Sequence, residues 1–248
     1  MSLLRTIFVL VALSSCTGYP AGRSALTSQI PQKVVWAWER PEDLRFLDKN
    51  VGVAYLAQTL VLKDDSVITT RRKQPLKINP EAFLIAVTRI ETDRSRGRSP
   101  KLSKDQANSI TKAVLETLET GPVKGIQIDF DAVRSERNFY AELLRDLRAG
   151  LREGVPLSIT ALASWCMDDR WLSDVPVDEV VPMVFDMGTD DQRIRRFLEA
   201  GKDWKEERCK ESYGVAIYEK HPIALNPERR TYYFNNRSWD AAQTAKFN

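Results

Sequence analysis

The stretch Gly125-Ile126-Gln127-Ile128-Asp129-Phe130-Asp131 is where residue type and spacing first suggest chemistry. Side chains alternate across an extended strand, so Gln127, Asp129 and Asp131 share one face and Ile126, Ile128 and Phe130 the other. If the apolar set packs against helices, an amide and two carboxylates must face inward. Two carboxylates at this spacing lie roughly 7 Å apart along the strand, and like charge raises the pKa of one of them. A carboxyl group that keeps its proton is what a general acid requires. The competing account is structural: Arg89, in an earlier apolar run, could neutralise Asp129 in an inert buried pair. Spacing alone leaves both readings open.

The elements that must position these groups follow from the apolar pattern. Eight short runs stand out: 34–38, 51–62, 83–90, 123–130, 157–165, 180–185, 213–218 and 231–234. Most are continuous in Val, Ile, Leu and Ala, as expected of parallel strands covered on both faces. Helical patterns separate several of them. Ser103 to Gln106 has the form of a capping box ahead of Ala107, Ile110, Val114 and Leu118, and 135–151 and 190–200 carry further amphipathic stripes. Residues 63–80 read as a hairpin-like insertion after the second strand. Together these predict an α/β fold, a single (β/α)8 TIM-type barrel over residues 33–248, with room in the pattern for irregularity or for one or two missing helices.

Composition narrows the function classes. The 248 residues are 43% hydrophobic and 29% charged, enough apolar material for a real core. A net charge of +3 leaves no basic stripe to track a phosphate backbone, so nucleic acid is not an expected partner. With His221 the sole histidine, a zinc cluster and Ser-His or Cys-His catalysis are set aside, and no cofactor is expected. Glu91, Asp129 and Asp131 leave a weaker alternative, a divalent-cation site built from oxygen ligands.

Barrel active sites gather at the C-terminal ends of strands. Trp38, Glu39, Arg89, Glu91, Trp165 and Tyr218 fall at or near such ends and are candidates to line a substrate pocket with Gln127. Trp38 and Trp165 could serve as platforms for sugar rings, whereas Trp36, Trp204 and Trp239 read as core. Glu91 could act as a second carboxylate opposite Asp131.

The first 15 residues read as a signal peptide: Ile7 to Leu13 is an apolar run far too short to span a bilayer. Leu13-Ser14-Ser15-Cys16 resembles the bacterial lipobox, which implies lipidation at Cys16, a linker over 16–32, and attachment to the cell envelope through lipid alone. The spacing of Cys166 and Cys209 leaves open whether they pair.

The Gly125 to Asp131 run resembles the fourth-strand signature of family 18 glycoside hydrolases, Gly-x-Asp-x-Asp-x-Glu. In register, Gln127 stands in place of the first Asp, Asp129 matches the second, and Asp131 replaces the general-acid Glu. Pro182-Met183-Val184-Phe185-Asp186-Met187-Gly188 resembles the family's Met-x-Tyr-Asp stretch, with Phe185 in place of Tyr. The resemblance implies a glycan substrate, with Asp131 as proton donor, Asp129 as its tuning partner and Asp186 as the group that holds the reacting sugar. Because of the substitutions, a carbohydrate-binding or scaffold barrel without turnover is the alternative. Over most of its length, including 35–39 and 162–166, the chain also resembles a family of bacterial exported proteins to which no activity is assigned.

Overall fold

The structure, a computed structural model, describes residues 25–248 apart from 96, 221, 246 and 248. Cys16 and His221 therefore lie outside the described residues. The strands in chain order are β1 (Lys33–Ala37), β2 (Glu42–Leu44), β3 (Val51–Lys63), β4 (Ser66–Arg71), β5 (Leu76–Ile78), β6 (Leu84–Thr92), β7 (Val123–Asp129), β8 (Leu157–Leu162), β9 (Glu179–Met183), β10 (Ser212–Ala216) and β11 (Arg230–Phe234). Eight of them, β1, β3 and β6 to β11, pair in parallel, and β11 returns to β1 to close a TIM-type barrel.

Helices occupy only part of the outer ring. Helix α1 (Lys104–Glu116) joins β6 to β7, α2 (Arg137–Gly150) joins β7 to β8, the short α3 (Ala163–Asp168) follows β8, and α4 (Asp191–Glu199) joins β9 to β10. A four-residue α5 (Ala241–Thr244) lies near the C-terminus. The capping box at α1 forms as the sequence implies: Ser103 Oγ accepts from the Gln106 amide at 3.3 Å, and Gln106 Oε1 accepts from the Ser103 amide at 3.2 Å. Among the described residues no α-helix lies between β1 and β3, β3 and β6, or β10 and β11. The predicted insertion is an antiparallel hairpin, β4 folding back on β3, after which β5 pairs with β2 in a separate ribbon.

Alternation sorts the core into layers. Trp36, Leu56, Ile85, Val87, Val181, Tyr232 and Phe234 fill the barrel interior. Ile126, Ile128 and Phe130 face outward onto Ile110, Val114, Phe139 and Leu143 of α1 and α2. On the flank without helices, Leu44, Leu47, Trp239 and Phe247 cover the outer residues Val35, Ala37, Val53 and Tyr233. A disulfide joins Cys166 of α3 to Cys209, with Cα atoms 5.9 Å apart. The pairing that spacing left open is made because α3 turns back along the barrel wall, where the Cys166 carbonyl accepts from the Lys205 amide at 3.1 Å.

Residues 27–30, expected within the linker, instead close the barrel floor. Thr27 and Ile30 are buried, and the backbone carbonyls of Thr27, Ile30 and Pro31 accept from the Arg230 guanidinium. Arg230 also forms a fully buried ion pair with Glu179, whose other oxygen accepts from Tyr232 Oη at 2.7 Å. Removing one partner of such a pair strands a buried charge at a cost of about 3–5 kcal/mol. Arg230→Met should therefore lower the chemical-denaturation free energy by about that amount; a loss under about 1 kcal/mol would show the floor contributes little.

Candidate functional site

The site is built at the C-terminal mouth of the barrel from strand ends brought together by closure. A cavity of about 290 Å³ is lined by Trp38 after β1, Arg89 on β6, Asp129 at the end of β7 and Asp131 just beyond it, Asp186 after β9 and Tyr218 after β10, among others. Its floor is aromatic: Phe234 stacks on Trp36 at 4.9 Å, Phe185 packs on Phe234 at 4.8 Å, and Trp38 meets Trp36 edge-on at 4.3 Å.

The two carboxylates of β7 have different surroundings. Asp129 is buried; Oδ1 accepts from Thr160 Oγ1 at 2.6 Å, and Oδ2 lies 3.7 Å from the Arg89 guanidinium. Burial dominates and pushes its pKa up to about 6; the Thr160 hydrogen bond and Arg89 oppose this, while the charges of Asp131 and Glu91 reinforce it. Asp131 is open to the cavity. Crowding around its carboxyl still raises its pKa, against the pull of Arg89 and Arg94.

Across the mouth, Tyr218 Oη donates to Asp186 Oδ2 at 2.8 Å, and the Asp186 amide donates to Glu219 Oε1 at 3.2 Å. Asp186 has φ of 48°, a left-handed conformation that Asp tolerates better than most residues but that still costs about 1 kcal/mol or more. The carboxylate is thus held by β10-side residues in a strained turn at the end of β9.

Other sequence candidates lie elsewhere. Gln127 sits beneath the cavity, fully buried, its Oε1 accepting from Trp36 Nε1 at 2.8 Å and its Nε2 donating to Ser158 Oγ at 3.1 Å, so it does not reach a substrate. Trp165 is core instead of platform: 2% exposed, it packs edge-on to Trp171 at 5.0 Å. The chain leaves strand geometry at Ala163, and α3 swings the ring away from the mouth. Glu91 is on the outer rim, its Oε1 accepting from Arg89 Nε at 2.8 Å, and does not line the cavity. Glu39 lines an adjoining cavity, where its Oε1 accepts the Lys73 and Gln74 amides at 2.9 and 3.2 Å. Among the described residues no three His, Cys, Asp or Glu side chains come together to hold a metal ion, so the Glu91, Asp129 and Asp131 trio does not form a cation site. Thr160 was missed by sequence reasoning, although Ser158 and Thr160 are a polar pair with strand alternation in the otherwise apolar β8.

Because the folded-state pKa of Asp129 is raised, the folded protein binds its proton more tightly than the unfolded chain does. That stabilisation is complete below about 4, is lost as pH rises through about 6, and amounts to about 3 kcal/mol. Asp129→Asn keeps an acceptor for Thr160 and removes the titration. The variant should be more stable than the parent at pH 8 by up to about 3 kcal/mol and similar at pH 4, read from thermal melts across pH. A pH-independent difference would rule out this cause.

Among curated proteins none matches the chain. The fold is similar to that of a Streptomyces coelicolor protein described as "putative Chitinase A", with a TM-score of 0.54, 9% identity, and coverage of 87% of this chain and 96% of that one. Weaker likenesses are to the Bacillus cereus spore cortex-lytic enzyme SleL (TM-score 0.44, 16% identity, 75% of this chain and 51% of that one) and the chitinase domain of the Clostridium difficile spore coat protein CotE (0.43, 12%, 77% and 67%). At these identities the likeness to the first speaks for the barrel fold alone. Residues 82–219, more than half of the chain and including β7 and the Asp186 turn, match the family described as "Domain of unknown function (DUF3142)", and the protein belongs to that family.

Proposed function

We propose that the protein is an exported, envelope-associated barrel that binds a glycan and hydrolyses a glycosidic bond. The observation that carries this reading is the split between the two β7 carboxylates: Asp129 is buried with a raised pKa, while Asp131 faces the cavity. In this reading Asp131 donates its proton to the glycosidic oxygen as the bond to the leaving sugar breaks, and water forms the replacing bond at the anomeric carbon, its proton restoring the Asp131 acid. Burial of Asp129 and the like charge of Asp131 oppose ionising both carboxyls, so the pair keeps one proton up to about pH 6, and that proton is the one Asp131 transfers. Asp186, oriented by Tyr218, receives the sugar on the opposite side, and Trp38 offers a ring face to it.

The shape of the mouth supports a ligand of several units. Cavities of about 290, 310 and 830 Å³ all share Tyr218, forming a run of recesses past Trp38 on one side and Gly188 on the other. Export is supported by the Cys166–Cys209 disulfide, a bond that persists in oxidising compartments, together with the leader and the lipobox-like Cys16. No helix of the described residues is long and apolar enough to cross a membrane. Attachment in this reading is through lipid at Cys16.

One observation favours a barrel that binds glycans without turnover. Gln127, locked to Trp36 and Ser158, cannot exchange a proton with Asp129 as a carboxyl group at that position could. A single experiment separates the readings: hydrolysis and binding of a panel of bacterial-envelope and host oligosaccharides by the mature protein and by Asp131→Asn. Hydrolysis should fall by about 100-fold or more in the variant while binding survives, and the parent's rate should decline as pH rises above about 6. Binding by both proteins with no product from either would replace hydrolysis by recognition. No binding by either would end the glycan reading.

A further inference from the structure

A second recess lies on the barrel flank, away from the mouth, where the hairpin β4 stands in for a helix between β3 and β6. Two cavities, of about 260 and 550 Å³, are contiguous there between the hairpin and α1, sharing Arg71, Arg72, Ala113 and Glu116. The bulge in β3 between Leu56 and Gln58 turns Gln58 toward α1.

The inner end of this cleft is rich in acceptors. Gln58 is 2% exposed; its Nε2 donates to Thr88 Oγ1 at 3.0 Å and to the Ala113 carbonyl at 2.9 Å, while its Oε1 is buried and has no hydrogen-bond partner among the described residues. Leaving a buried carbonyl oxygen unmatched is costly, so the site lacks a donor. Thr117 and Thr120, which line the same end, each donate their hydroxyl to a backbone carbonyl at 2.7 and 2.8 Å. Their remaining capacity is to accept, and the Tyr55 hydroxyl that lines the same end is hydrogen-bonded with Thr120. A ligand seated here must donate a hydrogen bond to Gln58 Oε1, and with Arg71 and Arg72 at the boundary a cationic donor is disfavoured. Hydroxyl groups meet both conditions.

The outer end has the opposite character. Lys73 and Lys112 line it, and neither ammonium group forms an ion pair among the described residues; Arg71 shares its charge with Glu116, and Thr69, Thr70 and Ser109 add hydroxyl groups. Such an end attracts an anion. Acceptors inside and cations outside, within one continuous recess, describe a molecule with hydroxyls at one end and an anionic group at the other. We infer that the cleft between the β4 hairpin and α1 is a binding site for a phosphorylated sugar or polyol, separate from the barrel mouth and independent of what happens there.

The test uses the mature protein with glucose 6-phosphate, glucose and inorganic phosphate as probes, read by calorimetry and by thermal shift. Glucose 6-phosphate should bind at least about tenfold more tightly than either fragment, because it alone engages both ends. Lys73→Gln with Lys112→Gln, both at the surface and expected to leave the melt unchanged, should weaken glucose 6-phosphate about tenfold or more and reduce its salt dependence. Gln58→Met, which keeps the side-chain length without the orphan oxygen, should lose the preference for the sugar phosphate over inorganic phosphate. If inorganic phosphate binds as tightly as the sugar phosphate, the cleft is only a basic patch and the inference fails. It fails equally if no probe binds at millimolar concentration, or if the double lysine substitution leaves the affinity for glucose 6-phosphate unchanged.

Discussion

The barrel is organised by the need to satisfy polar groups that β7 carries into its interior. Gln127 and Asp129 face a lumen otherwise filled with aromatic and aliphatic side chains, and an unmatched amide or carboxylate there would cost several kcal/mol. Their partners come from both directions around the wall: Trp36 from β1 on the far side, Ser158 and Thr160 from adjacent β8. Each hydrogen bond fixes the register of one strand against another, so the polar set that shapes the site also specifies how the barrel closes. The arrangement has two levels. Gln127 is fully satisfied and serves as a support, whereas Asp129 one step higher is satisfied on one oxygen and faces Arg89 with the other.

A second constraint arises where the outer ring lacks helices. The strands on that flank expose apolar outer faces that still require cover, and the chain provides it with unlike pieces: the β2–β5 ribbon, the segment around Trp239 and Phe247, and the β4 hairpin. Trp239 is tied in through Nε1 to the Trp36 carbonyl at 2.9 Å and through its amide to Glu42 Oε2 at 3.0 Å. A helix would present a continuous ridge to the sheet and leave little space. A two-stranded hairpin beside α1 cannot match that contour, which is why the recess around Gln58 occurs on this flank and is absent from the close packing of α1 and α2 on Ile126, Ile128 and Phe130.

Much of this was legible in the residues because parallel strands impose simple rules. Continuous apolar runs gave the eight barrel strands, and alternation within 125–131 sorted Gln127 and Asp129 inward and the isoleucines outward. What sequence could not resolve was where strand geometry stops. Trp165 looks like the last residue of a strand, but the change to helix at Ala163 rotates successive side chains by about 100° instead of 180° and carries the indole into the core. Glu91 fails for the opposite reason: β6 runs on to Thr92, past the rim, so a residue on the same face as Arg89 lies outside the mouth. The buried floor formed by Thr27 to Pro31 was hidden because its anchoring is backbone carbonyl to Arg230, a contact across about two hundred residues that side-chain pattern does not announce.

The same two-residue step separates the chemical characters of the β7 carboxylates. Asp129 is the last residue of the strand, low enough for the wall to exclude water and high enough to escape the full pairing that Gln127 enjoys. Asp131 lies beyond the strand end, where the walls diverge and Arg89 and Arg94 act on it from a distance without closing on it. Moving an acid by one strand repeat, about 7 Å, thus converts a structural proton into an accessible one. Asp186 gains its position differently, through a strained turn and a hydrogen bond from a tyrosine at the neighbouring strand end, so its carboxylate is set by backbone geometry and by Tyr218. Three acids on one mouth are therefore held by three separate mechanisms, burial, exposure at a rim and backbone strain, and it is this inequality that gives the site direction.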